Sequence, residues 1–335
     1  MPADAAHTPP VPAVVGATAS GKSLVADLMA QRLGFAVLSA DSMQVYAGMD
    51  VGTGKVPVEQ RHVDYYGLDI ADPACPYSVA SFQQYGRSVI ERLFSEGSGC
   101  VVCGGTGLYI KALLDDMVFP AGEQVGNPVR DKYNQLVDEH GPHHVWGMLN
   151  DVDPASAQAI DPHDAKRIVR AFEMLETGVS YAEQKEAFSQ IGAYYPACYI
   201  GLRVEPDVLR ARIDARVEDM FAQGLVEETE RLRAAGADEG LTAKKAIGYA
   251  QANAYLDGRM TLDEAKESVK VATHQYAKRQ RTWFRKDARI TWLDADDNSA
   301  EAFEALACEA LDVYERACVQ LERPDGTDEA CGVVS

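Results

Sequence analysis

The sequence predicts an α/β fold, in which helices flank a parallel sheet and an all-helical insertion interrupts it. Short apolar segments alternate with segments whose apolar residues recur at helical spacing, a pattern typical of a parallel sheet covered on both faces. The alternation stops near residue 116, gives way to successive helical patterns, and resumes near residue 198. We therefore predict a core built from 11–115 and 198–294, an insertion at 116–197 and an acidic tail at 295–335.

The elements of the predicted core follow one another in a simple order. The strands are short and apolar, and they lie at 11–16, 35–38, 99–103 and 198–204. The helices lie at 22–33, 78–94, 206–222, 225–235, 243–256 and 261–285. The last helix begins at a capping box, because Glu264 follows Thr261 by three residues. Residues 128–190 are expected to supply the helices of the insertion.

Length and composition are those of an ordinary globular protein. The chain has 335 residues, of which 47% are hydrophobic and 25% charged, so it can form about two domains or one core with a large insertion. This composition excludes collagen, coiled coils and wholesale disorder. No apolar run approaches the roughly 18–20 residues that cross a membrane, and no secretory signal is visible, so we expect a cytoplasmic protein.

The cysteines favour the same compartment. There are seven of them, and an odd number in a chain of this size does not suggest a disulfide framework. Cys100 and Cys103 form a C-x-x-C pair, but they lie in an apolar run that predicts a buried strand. We expect structural thiols here in preference to zinc or redox chemistry.

The charge is distributed unevenly. A net charge of −19 argues at first against a nucleic-acid partner. However, twelve acidic residues fall within 294–335, whereas seven basic residues and one acidic residue lie between positions 270 and 289. A local basic face can therefore bind phosphates. We expect the chain to be disordered toward its end, and the residues past 300 to be dispensable.

A phosphate-binding loop follows the first strand. The segment matches G-x-x-x-x-G-K-[ST] between a strand and a helix, the context that supports the motif. Its glycines let backbone N–H groups turn toward phosphate oxygens, and the following helix adds its positive end. Lys22 supplies a cation and Ser23 a hydroxyl for Mg²⁺. The eight residues of this loop are Gly16, Ala17, Thr18, Ala19, Ser20, Gly21, Lys22 and Ser23.

The residues at the ends of the strands do not decide which reaction the phosphate-binding loop supports. A nucleotide kinase needs an acid at the tip of a second core strand, but the strand at 99–103 runs into Gly104 and Gly105. The carboxylate at an early strand tip is Asp41, which can act as a base, cap a helix or hold Mg²⁺. The residues after it provide groups that can recognise a nucleobase, namely Ser42, Gln44 and the ring of Tyr46.

At this point the chain resembles the tRNA dimethylallyltransferases over about residues 12–293. The resemblance rests on an ordered series of segments: GATASGKS (16–23), DSMQVY (41–46), GMDVGTGK (48–55), GGTGLYIKAL (104–113), DAKRIVRAFE (164–173), KKAIGY (244–249) and HQYAKRQRTWFR (274–285). It implies a P-loop NTPase-like core whose loop binds dimethylallyl diphosphate, with Mg²⁺ as cofactor. It also implies an adenosine acceptor at position 37, beside the anticodon of tRNAs that read codons beginning with U.

The resemblance implies a role for each group in that reaction. Lys22, Ser23 and the loop stabilise the departing diphosphate, while Asp41 orients the adenine amine and takes its proton. Arg212 and Arg216 lie one turn apart and can reach the diphosphate or pair with nearby acids. Thr106 can contact the tRNA or cap a helix. The remaining residues implied in tRNA binding are Ser42, Met43, Gln44, Arg130, Lys166, Arg167, Ile168, Val169, Arg170, Lys245, Lys278, Arg281 and Arg285.

A basic face on the last core helix supports an RNA partner independently. Lys270, His274, Lys278, Arg281 and Arg285 recur at helical spacing and form a stripe about 22 Å long. Trp283 and Phe284 lie on other faces, where we expect them to pack in the core. His274 departs from the arginine common in the family, which weakens one expected phosphate contact.

Two other functions remain possible at this stage. A small-molecule kinase would share the phosphate loop, but the missing strand-end acid speaks against it. A non-catalytic RNA-binding protein would share the basic stripe but would leave Lys22, Ser23 and Asp41 unexplained. The expected partners are tRNA and dimethylallyl diphosphate, with no membrane, and we expect a monomer.

Overall fold

A computed structural model describes residues 9–119, 127–237 and 243–322. The contacts between residues divide the chain into two compact units. The first unit comprises Met1–Leu114 and Tyr195–Ser335, and the second comprises Asp115–Tyr194.

The first unit is built on a parallel sheet, so the predicted α/β class is confirmed. Its six strands among the described residues are β1 (Val11–Gly16), β2 (Ala36–Ser39), β3 (Tyr65–Tyr66), β4 (Cys100–Gly104), β5 (Ala197–Arg203) and β6 (Ile290–Asp294). They pair in the order β3-β2-β4-β1-β5-β6, and each pairing is parallel. Every residue of β1 and β4 is buried, as expected for central strands covered by helices on both faces.

Helices connect the strands of the first unit along the chain. They are α1 (Lys22–Leu33), α2 (Val79–Ser95), α3 (Gly107–Leu114), α9 (Pro206–Ala222), α10 (Leu225–Ala234), α11 (Tyr249–Leu256), α12 (Leu262–Phe284) and α13 (Ala300–Glu322). The capping box of α12 is formed as predicted. The Thr261 hydroxyl accepts from the Glu264 amide at 3.3 Å, and the Glu264 carboxylate accepts from the Thr261 amide at 2.7 Å.

The acidic tail contains an ordered helix, which the sequence analysis missed. We expected an acidic tail that is partly disordered, but α13 packs along α1 with Phe303, Leu306 and Val313 in the core. This packing argues against the expectation that residues past 300 are dispensable, which truncation before α13 would test. Its acids lie on the exposed face of an amphipathic helix, so a high negative charge did not prevent folding. Residues 323–335 lie outside the described part of the chain.

The buried thiols belong to the sheet. Cys100 and Cys103 are 2% and 6% exposed on β4, and burial raises the pKa of their thiols to about 12 and about 11. Both thiols are therefore neutral near pH 7. Within the described ranges, no group of three or more His, Cys, Asp or Glu side chains is arranged to hold a metal ion.

The second unit is helical throughout its described residues. Its helices are α4 (Pro128–His140), α5 (Pro142–Val152), α6 (Pro154–Gln158), α7 (Ala165–Glu176) and α8 (Tyr181–Ser189). The first three begin with proline, whose fixed φ and missing N–H suit the first helical position. Val145, Leu149, Ile168 and Phe172 form the centre of a separate small core.

Candidate active site

The phosphate loop has the backbone shape that its glycines predict. Gly21 adopts φ +86°, and the non-glycine Ala19 also takes a positive φ of 61°. A Cβ atom at Gly21 would lie 2.2 Å from the Phe303 ring of α13. Glycine is therefore required here for two reasons, the backbone conformation and the close approach of α13.

Lys22 lies at the end of the loop and lines a polar cavity. Its Nζ donates to the Ala17 carbonyl at 3.2 Å. Burial lowers the pKa of Lys22, and its charge interacts favourably with the Asp41 carboxylate and unfavourably with Arg216. The Ser23 hydroxyl contacts the neutral thiol of Cys103. Lysine and serine thus stand together at the start of α1, as the motif predicts.

Two adjoining cavities meet at this loop. A tight polar cavity of about 40 Å³ is lined by Lys22, Ser23, Asp41 and Arg216. A larger cavity of about 250 Å³ shares Asp41 and Arg216 with it and is otherwise mostly apolar, with Ile213, Val217, Met220, Ile247 and Val269 in its wall. Asp41 therefore stands where the polar cavity meets the mostly apolar one.

Asp41 is held by its own loop. Its Oδ1 accepts from the Met43 amide at 2.9 Å, which fixes the carboxylate in a tight turn after β2. Of the three roles considered for this residue, helix capping is not observed, because the turn does not lead into a helix. Met43 and Ser42 line the larger cavity beside it.

Thr106 supports this loop from the neighbouring strand end. Its Oγ1 accepts from the Ser42 amide at 3.1 Å and donates to the Ser42 hydroxyl at 3.3 Å. The Thr106 carbonyl accepts from the amides of Tyr109 and Ile110 at 2.9 and 3.2 Å, so Thr106 stands at the start of α3, as the capping interpretation predicts. Thr106 also joins the turn after β4 to the Asp41 loop, and its contact with tRNA stays a prediction.

The structure separates the two candidate arginines. Arg216 lines both cavities, and its Nη2 lies 3.5 Å from the Thr53 carbonyl. Burial lowers the pKa of Arg216, and the Asp41 carboxylate opposes this effect. Arg212 instead donates to the Asp296 carbonyl at 2.7 Å and lines neither cavity. The predicted diphosphate contact of Arg212 is therefore not supported. Its side chain binds the segment that precedes α13 instead.

Gln44 and Tyr46 differ in whether they can reach a base. Gln44 Nε2 donates to the carbonyls of Thr53 and Gly54 at 3.2 and 3.3 Å, and its Oε1 accepts from Ser39. Gln44 nevertheless lines the polar cavity, and its contact with tRNA stays a prediction. Tyr46 is fully buried in the core, so its ring cannot stack on a base.

The sequence analysis missed a buried carboxylate, which holds another part of the cavity wall. Glu228 of α10 is 3% exposed and accepts from the backbone amides of Asp50, Val51 and Gly52 at 3.0 to 3.3 Å. The Tyr249 hydroxyl also donates to it at 2.5 Å. A Cβ at Gly52 would lie 2.4 Å from the Tyr249 ring. These contacts fix the segment 50–54 that lines both cavities.

Gln280 of α12 is a second missed residue. Its Oε1 accepts from the Thr18 amide at 2.8 Å, and its Nε2 donates to the Gly105 carbonyl at 3.0 Å. Tyr276, one turn earlier, is hydrogen-bonded to Gln280 and Thr106, and burial raises the pKa of its phenol to about 12. One edge of α12 thus ties the phosphate loop to the turn that supports Asp41.

Some residues of the basic stripe on α12 form ion pairs. Lys270 pairs with Glu218 of α9 at 2.7 Å, and His274 Nε2 lies 2.7 Å from Asp214. The contacts with Lys270 and Lys266 lower the pKa of Glu218 to about 2. Acids of the adjacent helix α9, and Glu267 of α12 itself, therefore engage the first two residues of the stripe. Lys278, Arg281 and Arg285 remain, and with Arg210 they line a groove of about 380 Å³.

Lys245 is exposed at the rim of the larger cavity. It follows the segment 238–242, which lies outside the described residues. Phe284 is buried as expected, but Trp283 is 47% exposed, so its predicted place in the core is wrong.

The candidate tRNA contacts of the second unit fall into two groups. Lys166 and Arg167 are exposed on α7, and Arg167 pairs with Asp164 in its own first turn. Arg130 is engaged by the buried Glu173 at 2.6 and 2.9 Å, and Arg170 reaches the same carboxylate at 3.3 Å. Ile168 and Val169 are 0% and 3% exposed. Their predicted contact with tRNA is wrong, because they face the core of this unit.

Comparisons with known proteins identify the family of the chain. A family model described as IPP transferase matches residues 44–287, and one described as isopentenyl transferase matches residues 9–63. The chain is 42% identical over 306 residues to a tRNA dimethylallyltransferase of Pseudarthrobacter chlorophenolicus, covering 90% of this chain and 99% of that protein. The chain belongs to the tRNA dimethylallyltransferase family.

Other members of the family show the same extent of similarity. The Syntrophomonas wolfei tRNA dimethylallyltransferase is 39% identical over 291 residues, covering 86% of this chain and 93% of that protein. The crystal structure of a tRNA isopentenylpyrophosphate transferase from Bacillus halodurans is 33% identical, with a TM-score of 0.66 over 94% of this chain and all of that one. A eukaryotic dimethylallyltransferase acting on tRNA is 25% identical, with a TM-score of 0.78 over 96% of this chain and 82% of that chain.

The missed residues share a cause. Glu228 and Gln280 lie in amphipathic helices, where a polar residue on the buried face could have signalled a satisfied internal contact. Their backbone partners are 175 or more positions away, so nothing local in the sequence identifies them. As in the sequence prediction, no helix in the described part of the chain is long and apolar enough to cross a membrane.

Proposed function

We propose that this protein transfers the dimethylallyl group from dimethylallyl diphosphate to the exocyclic amine of the adenosine 3′-adjacent to the anticodon of tRNA. One observation carries the proposal. Asp41 lies at the junction of a cation-lined phosphate cavity and an apolar cavity. A donor with an anionic diphosphate and a short apolar chain suits this pair of spaces, and the carboxylate stands where the two parts meet.

The donor side follows from the phosphate loop. Its N–H groups, the Lys22 ammonium and the Arg216 guanidinium surround one small polar space. Negative charge grows on the bridging oxygen as the allylic C–O bond breaks. Fixed cations and N–H groups aimed at that charge stabilise the transition state more than the ground state. The five-carbon chain would lie against the apolar wall that includes Val217, Met220 and Val269.

The acceptor side follows from Asp41. The adenine amine forms a bond to the allylic carbon while that carbon loses its bond to the diphosphate, which leaves with the electron pair. The amine then gives one proton to the Asp41 carboxylate. The hydrogen bond from the Met43 amide and the contact between Ser42 and Thr106 hold the carboxylate loop in place. The products are N6-(dimethylallyl)adenosine and diphosphate.

The polar cavity suits Mg²⁺ as the expected cofactor. Mg²⁺ prefers oxygen ligands and commonly binds through one or two protein oxygens and substrate phosphates. The Ser23 hydroxyl and the Asp41 carboxylate both line the cavity. When bound, the ion would add positive charge near the departing diphosphate.

The tRNA would bind through basic residues on both units. In the first unit, Lys245, Lys278, Arg281 and Arg285 are positioned on the surface or in the groove beside α12. In the second unit, Lys166 and Arg167 are exposed on α7. Phosphate contacts of this kind supply affinity without base specificity. The six described cysteines are unpaired, which supports a reducing compartment such as the cytoplasm.

A transfer assay tests the proposal. The protein is mixed with Mg²⁺, dimethylallyl diphosphate labelled in its prenyl group, and tRNA transcribed without modifications, and no ATP is added. We expect label in the tRNA, and we expect omission of Mg²⁺ to reduce it. A parallel reaction contains ATP and unlabelled donor. Hydrolysis of ATP together with the absence of labelled tRNA would overturn the proposal in favour of a kinase.

A further inference from the structure

The helix α12 carries a second basic edge, distinct from the stripe toward α9. Arg279 and Trp283 are four residues apart and lie on one face of the helix, and Lys286 follows in the turn after the helix ends at Phe284. All three are exposed, and Trp283 is 47% exposed. Arg279 and Lys286 form no ion pair within the described residues, in contrast to Lys270 on the other edge. We call these three residues the Trp283 edge.

The Trp283 edge adjoins the Asp41 loop through direct contacts. The indole lies directly over Gly107, where a Cβ would be 2.1 Å from its Nε1. Gly107 follows Thr106, whose Oγ1 accepts from the Ser42 amide. The Arg279 guanidinium lies 5.7 Å from the ring centroid of Tyr276, and Tyr276 lines the larger cavity together with Asp41. The path from Asp41 to Trp283 thus passes through only a few contacting residues.

Packing does not account for the position of this indole. A core tryptophan buries its rings. The indole nitrogen of Trp283 packs against Gly107, but nearly half of the side chain is exposed to solvent. Leu108, the next residue of α3, is 38% exposed beside it. A fixed and half-exposed aromatic ring between two unpaired cations matches the chemistry that binds unstacked bases and their phosphates.

We propose that Trp283 stacks on a nucleobase of the anticodon loop close to the adenosine that is alkylated, and that Arg279 and Lys286 hold the flanking phosphates. The inference deepens the proposed function and rests on it. The target adenosine must leave its stack to reach Asp41, which exposes the face of a neighbouring base. An indole in this position replaces the lost stacking partner and holds the loop open at the cavity.

The test combines a spectroscopic and a kinetic measurement on the full chain. Protein labelled with 5-fluorotryptophan has three fluorine signals, from Trp146, Trp283 and Trp292, which single Trp→Phe variants assign. An unmodified anticodon stem-loop is then titrated. We expect the Trp283 signal to shift most. In the transfer assay, Trp283→Leu should raise the KM for tRNA by about tenfold or more, while the KM for dimethylallyl diphosphate stays within about twofold.

Two variants separate stacking from packing. Trp283→Phe keeps a flat ring and should restore most of the tRNA affinity that Trp283→Leu loses. Val271→Ala is a matched control, because Val271 is a 55% exposed apolar residue on the same helix, and its KM values should not change. An unmoved Trp283 signal, or equal KM values for Trp283→Leu and the original protein, would overturn the inference while leaving transfer intact. Failure of the original protein to transfer the prenyl group would instead refute the proposed function.

Discussion

At the scale of single residues, the site depends on a few polar contacts made over long sequence distances. The phosphate loop and Asp41 could be predicted, since a local motif and a strand tip identify them. Glu228 and Gln280 could not be predicted. They form hydrogen bonds with backbone amides and a carbonyl that only the folded chain brings close to them. Tyr46 was misinterpreted for the converse reason. Its ring suits a nucleobase, but it is fully buried in the core.

Asp41 gives the first prediction. Asp41→Asn keeps an oxygen that can accept from the Met43 amide, so the turn should survive. The amide cannot take a proton, and we expect kcat to fall by about 100-fold to 10,000-fold with little change in tRNA affinity. Single-turnover transfer and tRNA binding are measured together. Asp64→Asn, which changes an exposed carboxylate outside both cavities, is the control. Full activity in Asp41→Asn would exclude a proton-accepting role.

Gln280 gives the second prediction. Gln280→Met keeps the shape of the side chain but leaves the Thr18 amide and the Gly105 carbonyl without their partner. Burying unpaired groups costs about 1–3 kcal/mol, so the free energy of unfolding should fall by that amount. The phosphate loop should also loosen and raise the KM for the donor more than that for tRNA. Chemical denaturation and steady-state kinetics measure the two effects. Gln275→Met, at an exposed position of the same helix, should change neither.

The pH dependence of donor binding gives the third prediction. Burial lowers the pKa of Lys22, so its ammonium is lost at a lower pH than that of an ordinary lysine. The charged form binds the diphosphate, and binding should therefore weaken as pH rises through this lowered pKa. Arginine stays charged, so Lys22→Arg should remove the alkaline loss. Calorimetric titration with diphosphate from about pH 7 to about pH 10 measures it. The same alkaline decline in both proteins would assign the effect to another group.

At the scale of elements, the sequence predicted the parallel strands and most helices because their apolar periodicity is strong. It did not identify α13, since its acids dominated the composition of the tail. The apolar residues Phe303, Leu306, Ala310 and Val313 nevertheless recur at helical spacing, and that signal was available. The short strand β3 and the edge strand β6 were also missed. β3 has only two residues and is defined by its pairing with β2, and β6 is an edge strand defined by its pairing with β5.

The helix α13 gives the fourth prediction. Phe303→Ala removes a ring that is 5% exposed and lies against Gly21 of the phosphate loop. The cavity should cost about 3–5 kcal/mol of the free energy of unfolding. Val319→Ala, at a 49% exposed site on the same helix, is the control. A chain ending at residue 299 should fail to fold stably, whereas one ending at residue 322 should keep its activity. Stable, active protein ending at 299 would show that α13 is dispensable.

At the scale of the whole molecule, a net charge of −19 coexists with exposed basic residues in both units. The total charge therefore predicts little about the partner, and the local pattern matters. The sequence located the basic positions but not their ion pairs. Acids from other helices engage Lys270, His274 and Arg130, which leaves fewer free cations than the stripe suggested.

The salt dependence of tRNA binding gives the fifth prediction. Lys166→Ala removes an exposed cation expected to contact a phosphate, so the slope of log K against log salt should become shallower by about one. Lys185→Ala makes the same change of net charge on another helix of the same unit and should leave the slope unaltered. Binding is measured by filter retention at several salt concentrations. Equal slopes for the two variants would remove Lys166 from the tRNA-binding surface.

Mapping the site of modification tests the central claim most directly. Labelled dimethylallyl diphosphate is incubated with the protein and either a tRNA with adenosine 3′-adjacent to its anticodon or the same tRNA with guanosine there. The tRNAs are then digested to nucleosides and separated. We predict that the label appears as N6-(dimethylallyl)adenosine from the first tRNA alone. Label on another nucleoside, or equal labelling of both tRNAs, would contradict the assignment of Asp41 and its cavity to this adenosine.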